Sequence, residues 1–135
     1  MAVPVVADTQ AVVWYLGKSP RLSQGAFVAL DGALVAGVPV YVCTITLVEI
    51  IYLIERQRLS REALERLLEQ AHDPDSSLTI APLDETAAMA VDRIPREQVP
   101  DMPDRIIAAT AAARGVPLVT SDSEIRALSN IETIW

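Results

Sequence analysis

Apolar residues along this chain fall into short runs of two kinds. Continuous runs rich in β-branched residues are typical of strands buried on both faces. Runs with apolar residues every three or four positions predict helices that pack on one side. The strands are predicted at residues 3–7, 38–43, 78–81, 117–119 and near 132–135. The helices are predicted at residues 9–16, 22–36, 46–58, 60–71, 84–94, 104–114 and near 123–129.

Strands and helices therefore alternate along the chain. This order predicts an α/β fold, a three-layer α/β/α sandwich in which helices cover both faces of a mostly parallel sheet. A length of 135 residues predicts one domain that spans residues 1–135. The apolar stretch at residues 26–48 contains Asp31, two glycines and Pro39, so we expect two elements there and no membrane span. A single cysteine, Cys43, excludes an internal disulfide and favours the reducing cytoplasm.

Acidic side chains come directly after the predicted strands. Asp8 follows the first strand, Glu49 lies in the helix after the second, and Asp122 follows the strand at 117–119. The carboxyl ends of parallel strands meet at one edge of the sheet, so we expect these three acids to lie together. Asp104, at the start of the preceding helix, would hang near the same edge. We therefore expect a cluster of four carboxylates.

Such a cluster needs a cation. Two ionised carboxylates about 5 Å apart repel by roughly 3 kcal/mol at an effective dielectric constant near 20. Oxygen ligands without histidine or cysteine suit Mg²⁺ or Mn²⁺, which can acidify an attacking water. The net charge of −7 argues against a general nucleic-acid binder. These points favour phosphodiester hydrolysis at a metal site.

Each acid also has a purely structural interpretation. Thr46 and Glu49 have the spacing of a capping box, and so do Ser121 and Glu124, which would make Asp122 an incidental neighbour. Asp8 and Asp104 are each typical of a helix N-terminus. Four caps that coincide at one edge are the less economical account. Asp84 also caps a predicted helix but lies off this pattern, so we interpret it as structural.

The whole chain resembles the PIN-domain family, in particular the VapC-type toxins of toxin–antitoxin pairs. The first resembling stretch is VVADTQAVVWYL, where Asp8 and Thr9 match the opening motif. The second is TITLVEIIYL, with Thr46 as the small hydroxyl and Glu49 as the acid. The third is PDRIIAATAAARGVPLVTSD, with Asp104 as the third acid, Thr120 as the supporting hydroxyl and Asp122 as the fourth acid.

The resemblance implies a PIN-type sandwich with Mg²⁺- or Mn²⁺-dependent endoribonuclease activity. It also implies a cognate antitoxin, a second copy of the chain in a homodimer, and RNA as the substrate. Arg105 is a candidate contact for RNA phosphate, although a surface ion pair is an equal alternative. Gln10 and Ser121 depart from residues common in the family, and Asp101 could exchange roles with Asp104.

Two other functions stay open from the sequence. In a non-catalytic PIN-like binding module the acids would be helix caps, and the apolar helix pair at residues 46–71 would bind a partner. A metal-dependent DNA nuclease would use the same four carboxylates on another substrate. A measurement of metal binding distinguishes the binding module from a nuclease. A comparison of RNA and DNA as substrates distinguishes a ribonuclease from a DNA nuclease.

Overall fold

The computed structural model describes residues 2–135, in which five strands form one parallel sheet. The strands are β1 (Val5–Ala7), β2 (Val40–Cys43), β3 (Leu78–Ala81), β4 (Leu118–Val119) and β5 (Thr133–Ile134). They lie in the order β3-β2-β1-β4-β5, and every neighbouring pair is parallel. The predicted α/β class is confirmed, and the sheet is parallel throughout.

Helices connect the strands. They are α1 (Thr9–Leu16), α2 (Gln24–Val35), α3 (Thr44–Glu55), α4 (Arg61–His72), α5 (Glu85–Ala90), α6 (Met102–Arg114) and α7 (Ser123–Arg126). A 3₁₀ turn at Val91–Arg93 follows α5, so the helix predicted at residues 84–94 is shorter than expected. Among residues 2–135, no helix is long and apolar enough to cross a bilayer.

Three predicted helix starts were wrong by two residues, and the first is that of α2, which begins at Gln24 with Ser23 as its N-cap. Helix α3 begins directly after β2, two residues before the predicted start at Thr46. Helix α6 begins at Met102, because Asp101 is its N-cap and Pro103 lies in its first turn, where a proline is tolerated. Asp104 is therefore the third residue of α6 instead of its cap. The end of α6 was predicted correctly, at Gly115 with a φ of +66°.

The core has two halves, one on each face of the sheet. Successive strand residues point to opposite faces, so Val5 and Ala7 join one hydrophobic cluster and Val6 joins the other. The first cluster includes residues of α1, α2, α3 and α4, and the second is built largely on α6. Residues on both faces of β1 are fully buried, which explains its continuous apolar run.

The strand order fixes where a site can form. The chain moves from β1 through β2 to β3 on one side, and later places β4 and β5 on the other side of β1. The connections therefore diverge between β1 and β4 at the carboxyl edge. In open parallel sheets such a switch point is where ligands bind.

Candidate metal centre

Asp8 lies at this switch point. Its backbone N–H donates to the carbonyl of Val119 at 3.1 Å, which holds the end of β1 beside the end of β4. Its side chain is the N-cap of α1 and accepts a hydrogen bond from the backbone N–H of Ala11 at 2.8 Å. The capping role and the site position therefore belong to the same carboxylate.

A buried pair of threonines positions Glu49. The hydroxyls of Thr9 and Thr46 lie 3.0 Å apart, and Thr46 is fully buried. The Thr9 hydroxyl donates to Oε1 of Glu49 at 2.5 Å and so ties α1 to α3. The capping-box alternative for Thr46 and Glu49 was wrong, because both residues lie inside α3 rather than at its start.

Asp122 is held by the turn after β4. Its side chain caps α7, where Oδ1 accepts hydrogen bonds from the backbone N–H groups of Glu124 at 2.9 Å and Ile125 at 3.0 Å. Its own N–H donates to the Thr120 hydroxyl at 3.1 Å. Thr120 is fully buried, so this hydrogen bond anchors the turn to the protein core. The alternative cap at Ser121 was wrong, because Asp122 itself is the N-cap.

Asp104 approaches from the start of α6. Its backbone N–H donates to Oδ2 of Asp101 at 3.1 Å, while its own side chain is half-buried. Asp101 is exposed and caps the helix. The two acids thus divide the roles that the sequence left open between them: Asp101 caps α6, and Asp104 faces the other carboxylates.

One pocket joins the four predicted acids. It has a volume of about 290 Å³ and is lined by Asp8, Thr9, Gln10, Glu49, Leu53, Asp104, Ile107 and Asp122. No lysine or arginine belongs to this lining within the described chain. Leu53 and Ile107 form an apolar wall that the sequence did not identify, because their spacing is that of ordinary core positions in a helix.

Asp8, Glu49 and Asp104 hold their protons more tightly than ordinary acids. Burial and the negative charges of Asp101 and Asp122 raise the pKa of Asp104 from 3.8 to about 7. Burial also raises the pKa of Asp8, against the hydrogen bonds that it accepts. The pKa of Glu49 is raised by burial and, after it, by the charges of Asp101 and Asp8. Three half-buried acids therefore lack a compensating positive charge.

The donor set fits a hard divalent cation. Mg²⁺ prefers oxygen ligands, keeps several waters, and is commonly held by one or two carboxylates. Across residues 2–135, no three acid, histidine or cysteine side chains lie close enough together to hold a metal ion between them. Each of Asp8, Glu49 and Asp122 accepts a hydrogen bond from the protein instead. An open, hydrated ion is the kind that this arrangement suits.

Arg105, the predicted phosphate contact, is used elsewhere. Its guanidinium donates to the carbonyls of Val91 at 3.0 Å and of Ile94 at 2.8 and 3.1 Å. These bonds fasten α6 to the 3₁₀ turn after α5, and Arg105 does not line the acidic pocket. The geometry thus gives Arg105 a structural role.

A family model described as the PIN domain matches residues 5–131. No curated protein matches the chain.

Three solved structures show the same fold. VapBC2 from Rickettsia felis, bound to a promoter DNA fragment, has 18% identity and a TM-score of 0.71, with 96% of each chain covered. DNA-bound VapBC from Salmonella typhimurium has 20% identity and a TM-score of 0.69, covering 97% of this chain and 96% of that one. VapBC-5 from Mycobacterium tuberculosis, a toxin–antitoxin family member, has 23% identity and a TM-score of 0.58, with 96% of each chain covered.

Proposed function

Because the chain belongs to the PIN-domain family and lines one pocket with four carboxylates, we propose that it is a Mg²⁺- or Mn²⁺-dependent endoribonuclease. We further propose that it acts in the cytoplasm as the toxin of a toxin–antitoxin pair. The match of the PIN model to residues 5–131 supports the nuclease class. The VapBC complexes among the structural neighbours support the assignment as a toxin.

The observation that carries the proposal is the uncompensated charge of the pocket. Asp8, Glu49 and Asp104 all have raised pKa values, and no basic side chain lines the pocket within residues 2–135. A bound divalent cation would relieve the repulsion among these groups. Helix caps alone give no reason for the carboxylates to share one pocket.

The residues of the pocket would have distinct roles. Asp8 and Asp104 would hold the ion directly, whereas Glu49 and Asp122 would act through water or hold a second ion. When bound, Mg²⁺ or Mn²⁺ supplies a Lewis acid that lowers the pKa of the attacking water and offsets the charge of the phosphate. The Thr9 hydroxyl keeps Glu49 oriented, and the Thr120 hydroxyl holds the turn that carries Asp122.

Protein partners follow from a different surface. Val48, Ile51 and Tyr52 of α3 are between 43% and 58% exposed, which is unusual for a cluster of large apolar side chains. The neighbouring structures are toxin–antitoxin complexes. We assign this surface to protein contacts, either with a cognate antitoxin or with a second copy of the chain.

RNA cleavage tests the proposal. The wild type should cut single-stranded RNA in Mg²⁺ or Mn²⁺ and lose the activity in EDTA, and Asp8→Asn should abolish cleavage without unfolding the protein. Asp84→Asn is the matched control, since Asp84 caps α5 in the same way but lies outside the pocket. Full activity in Asp8→Asn would refute the site. Cleavage of DNA in place of RNA would favour the DNA nuclease, and an absence of metal-dependent cleavage would favour the binding module.

A further inference from the structure

The two tryptophans of this chain meet, although they lie at opposite ends of the sequence. The ring centroids of Trp14 and Trp135 are 6.0 Å apart, with an interplanar angle of 55°. Tyr15 and Phe27 form a second aromatic pair beside them, with centroids 5.9 Å apart. Four of the six aromatic residues are therefore gathered around α1 in a chain that is poor in aromatics.

This aromatic cluster lies at the same edge of the sheet as the acidic pocket. Trp135 follows β5, and the carbonyl of Ile134 accepts a hydrogen bond from the backbone N–H of Thr120 at 3.1 Å. Trp14 is four residues after Gln10, which lines the acidic pocket, so both residues lie on one face of α1.

Core packing does not explain Trp14. Its side chain is half-exposed, and within residues 2–135 it does not belong to the side chains that pack against either core cluster. Trp135, by contrast, packs against the first cluster and so gives Trp14 a fixed support. A large, supported, half-exposed ring is the usual form of a base-stacking platform.

Basic side chains accompany the aromatic cluster. The Arg21 guanidinium lies 5.9 Å from the ring centroid of Trp14, near the outer limit of a cation–π contact. Lys18, the one lysine of the sequence, lines a pocket of about 300 Å³ together with Trp14 and Phe27. Neither cation forms an ion pair with a carboxylate in the described part of the chain. In a protein with a net charge of −7, these two cations lie beside the aromatic cluster, where a polyanion could bind.

We propose that Trp14, supported by Trp135, stacks on an unpaired nucleobase of single-stranded RNA next to the cleaved phosphate, while Arg21 and Lys18 contact its backbone. This inference rests on the proposed ribonuclease function. It adds a binding subsite outside the carboxylate pocket. A protein-docking surface accounts less well for two unpaired cations beside this partly buried ring, because phosphate is the group that such cations bind in a nucleic acid.

Fluorescence tests the stacking directly. In Trp135→Phe, Trp14 is the single tryptophan, so its emission reports its own surroundings. Adding Asp8→Asn prevents cleavage, and a short oligouridine in Mg²⁺ is the probe. The fluorescence of Trp14 should be quenched in a saturable way. The midpoint of quenching should agree with the dissociation constant measured from the anisotropy of a labelled oligouridine. Binding without quenching would overturn the proposal.

Affinity and kinetics give a second test. Trp14→Leu should weaken oligouridine binding about 5- to 100-fold, the range for losing one stacked base, and Trp14→Phe should restore most of it. Arg21→Gln should lower the slope of log affinity against log salt by about 0.7. Arg114→Gln is the control, because it removes the same charge from a different place. Arg114 stacks on Tyr41 at the end of α6, at the edge of the sheet opposite the acidic pocket, so this variant should keep the wild-type salt slope.

The outcomes separate this subsite from the ribonuclease itself. Trp14→Leu should raise KM for RNA while its melting temperature and its Mn²⁺ affinity stay those of the wild type. Unchanged KM and RNA affinity in an active, folded variant would overturn the subsite and leave the nuclease standing. If that variant instead lost a co-expressed antitoxin, the surface would be a protein-docking site. If the wild type cut no RNA but Trp14 were still quenched, the nuclease would be wrong and the binding subsite correct.

Discussion

Asp104→Asn should stabilise the metal-free protein at alkaline pH. The substitution keeps the size and polarity of the side chain and removes one negative charge from the pocket. Burial and the charges of Asp101 and Asp122 make that charge unfavourable, since they raise the pKa of Asp104 to about 7. Most single substitutions at a half-buried residue destabilise, so a gain in stability would be diagnostic.

The magnitude follows from the shift in pKa. A rise from 3.8 to about 7 corresponds to about 4 kcal/mol if it is not screened. Because Asp104 is half-exposed, solvent screens much of this, and we expect about 1–2 kcal/mol. The favourable interaction of Asp104 with the N-terminus of α6 is lost, which removes about 0.3–1 kcal/mol. The net gain is about 1 kcal/mol, or a rise of about 3 °C in melting temperature.

The assay is thermal or urea unfolding in EDTA at pH 8 and at pH 5. At pH 5 the folded wild type already holds a proton on Asp104, while the unfolded chain has largely released it, so the gain should fall to less than half of its value at pH 8. Asp84→Asn is the control for the loss of a carboxylate at a helix terminus outside the acidic pocket, and it should lose a few tenths of a kcal/mol at both pH values. If Asp104→Asn were destabilised at pH 8 as much as the control, Asp104 would be a helix-terminus residue rather than a strained member of a charge cluster.

Three shorter predictions follow from other parts of the molecule. Arg105→Gln should lower stability by about 1.5–3 kcal/mol in urea unfolding, because it removes the charged donor of the carbonyl of buried Ile94, while RNA affinity stays the same. Weaker RNA binding without a loss of stability would restore Arg105 as a phosphate contact. Gly25→Ala should lose about 1–3 kcal/mol, because its new Cβ would lie 2.8 Å from the carbonyl oxygen of Trp135. The Cβ of Gly32→Ala, in the same helix, would meet nothing within 4 Å, so this variant should be neutral or stabilised by up to about 1 kcal/mol. Equal losses of stability in the two variants would refute the close packing of Gly25 against Trp135. Metal-free wild type should lose stability as the pH rises from about 4 to 7, because folded Asp104 keeps a proton that the unfolded chain releases; a urea midpoint that rises with pH would contradict this sign.

The sheet and three of its four acids were predictable because strand ends are easy to read in this sequence. Val5–Ala7 and Val40–Cys43 are continuous apolar runs, and topology then places Asp8 and its counterparts at one edge. The α6 start was wrong because Asp101 and Asp104 are both plausible caps by composition. Pro103 was the unused signal, since a proline belongs in the first turn of a helix and not before it.

Other features had no local signal. The capping box at Thr46 and Glu49 has the correct spacing, but α3 starts directly from β2, so both residues fall inside the helix and Thr46 bonds to Thr9 instead. The partners of Arg105 lie 11 and 14 residues away, at a 3₁₀ turn that sequence periodicity does not reveal. Such contacts depend on how separate elements pack, which no spacing along the chain encodes.

The central claim is that four carboxylates from separate elements form one divalent-cation site, and calorimetric titration with Mn²⁺ tests it most directly. The wild type should bind Mn²⁺ at a site that weakens at least about tenfold in Asp8→Asn and in Asp104→Asn, while Asp84→Asn binds like the wild type. Equal Mn²⁺ binding in all four proteins, or none in the wild type, would contradict the account.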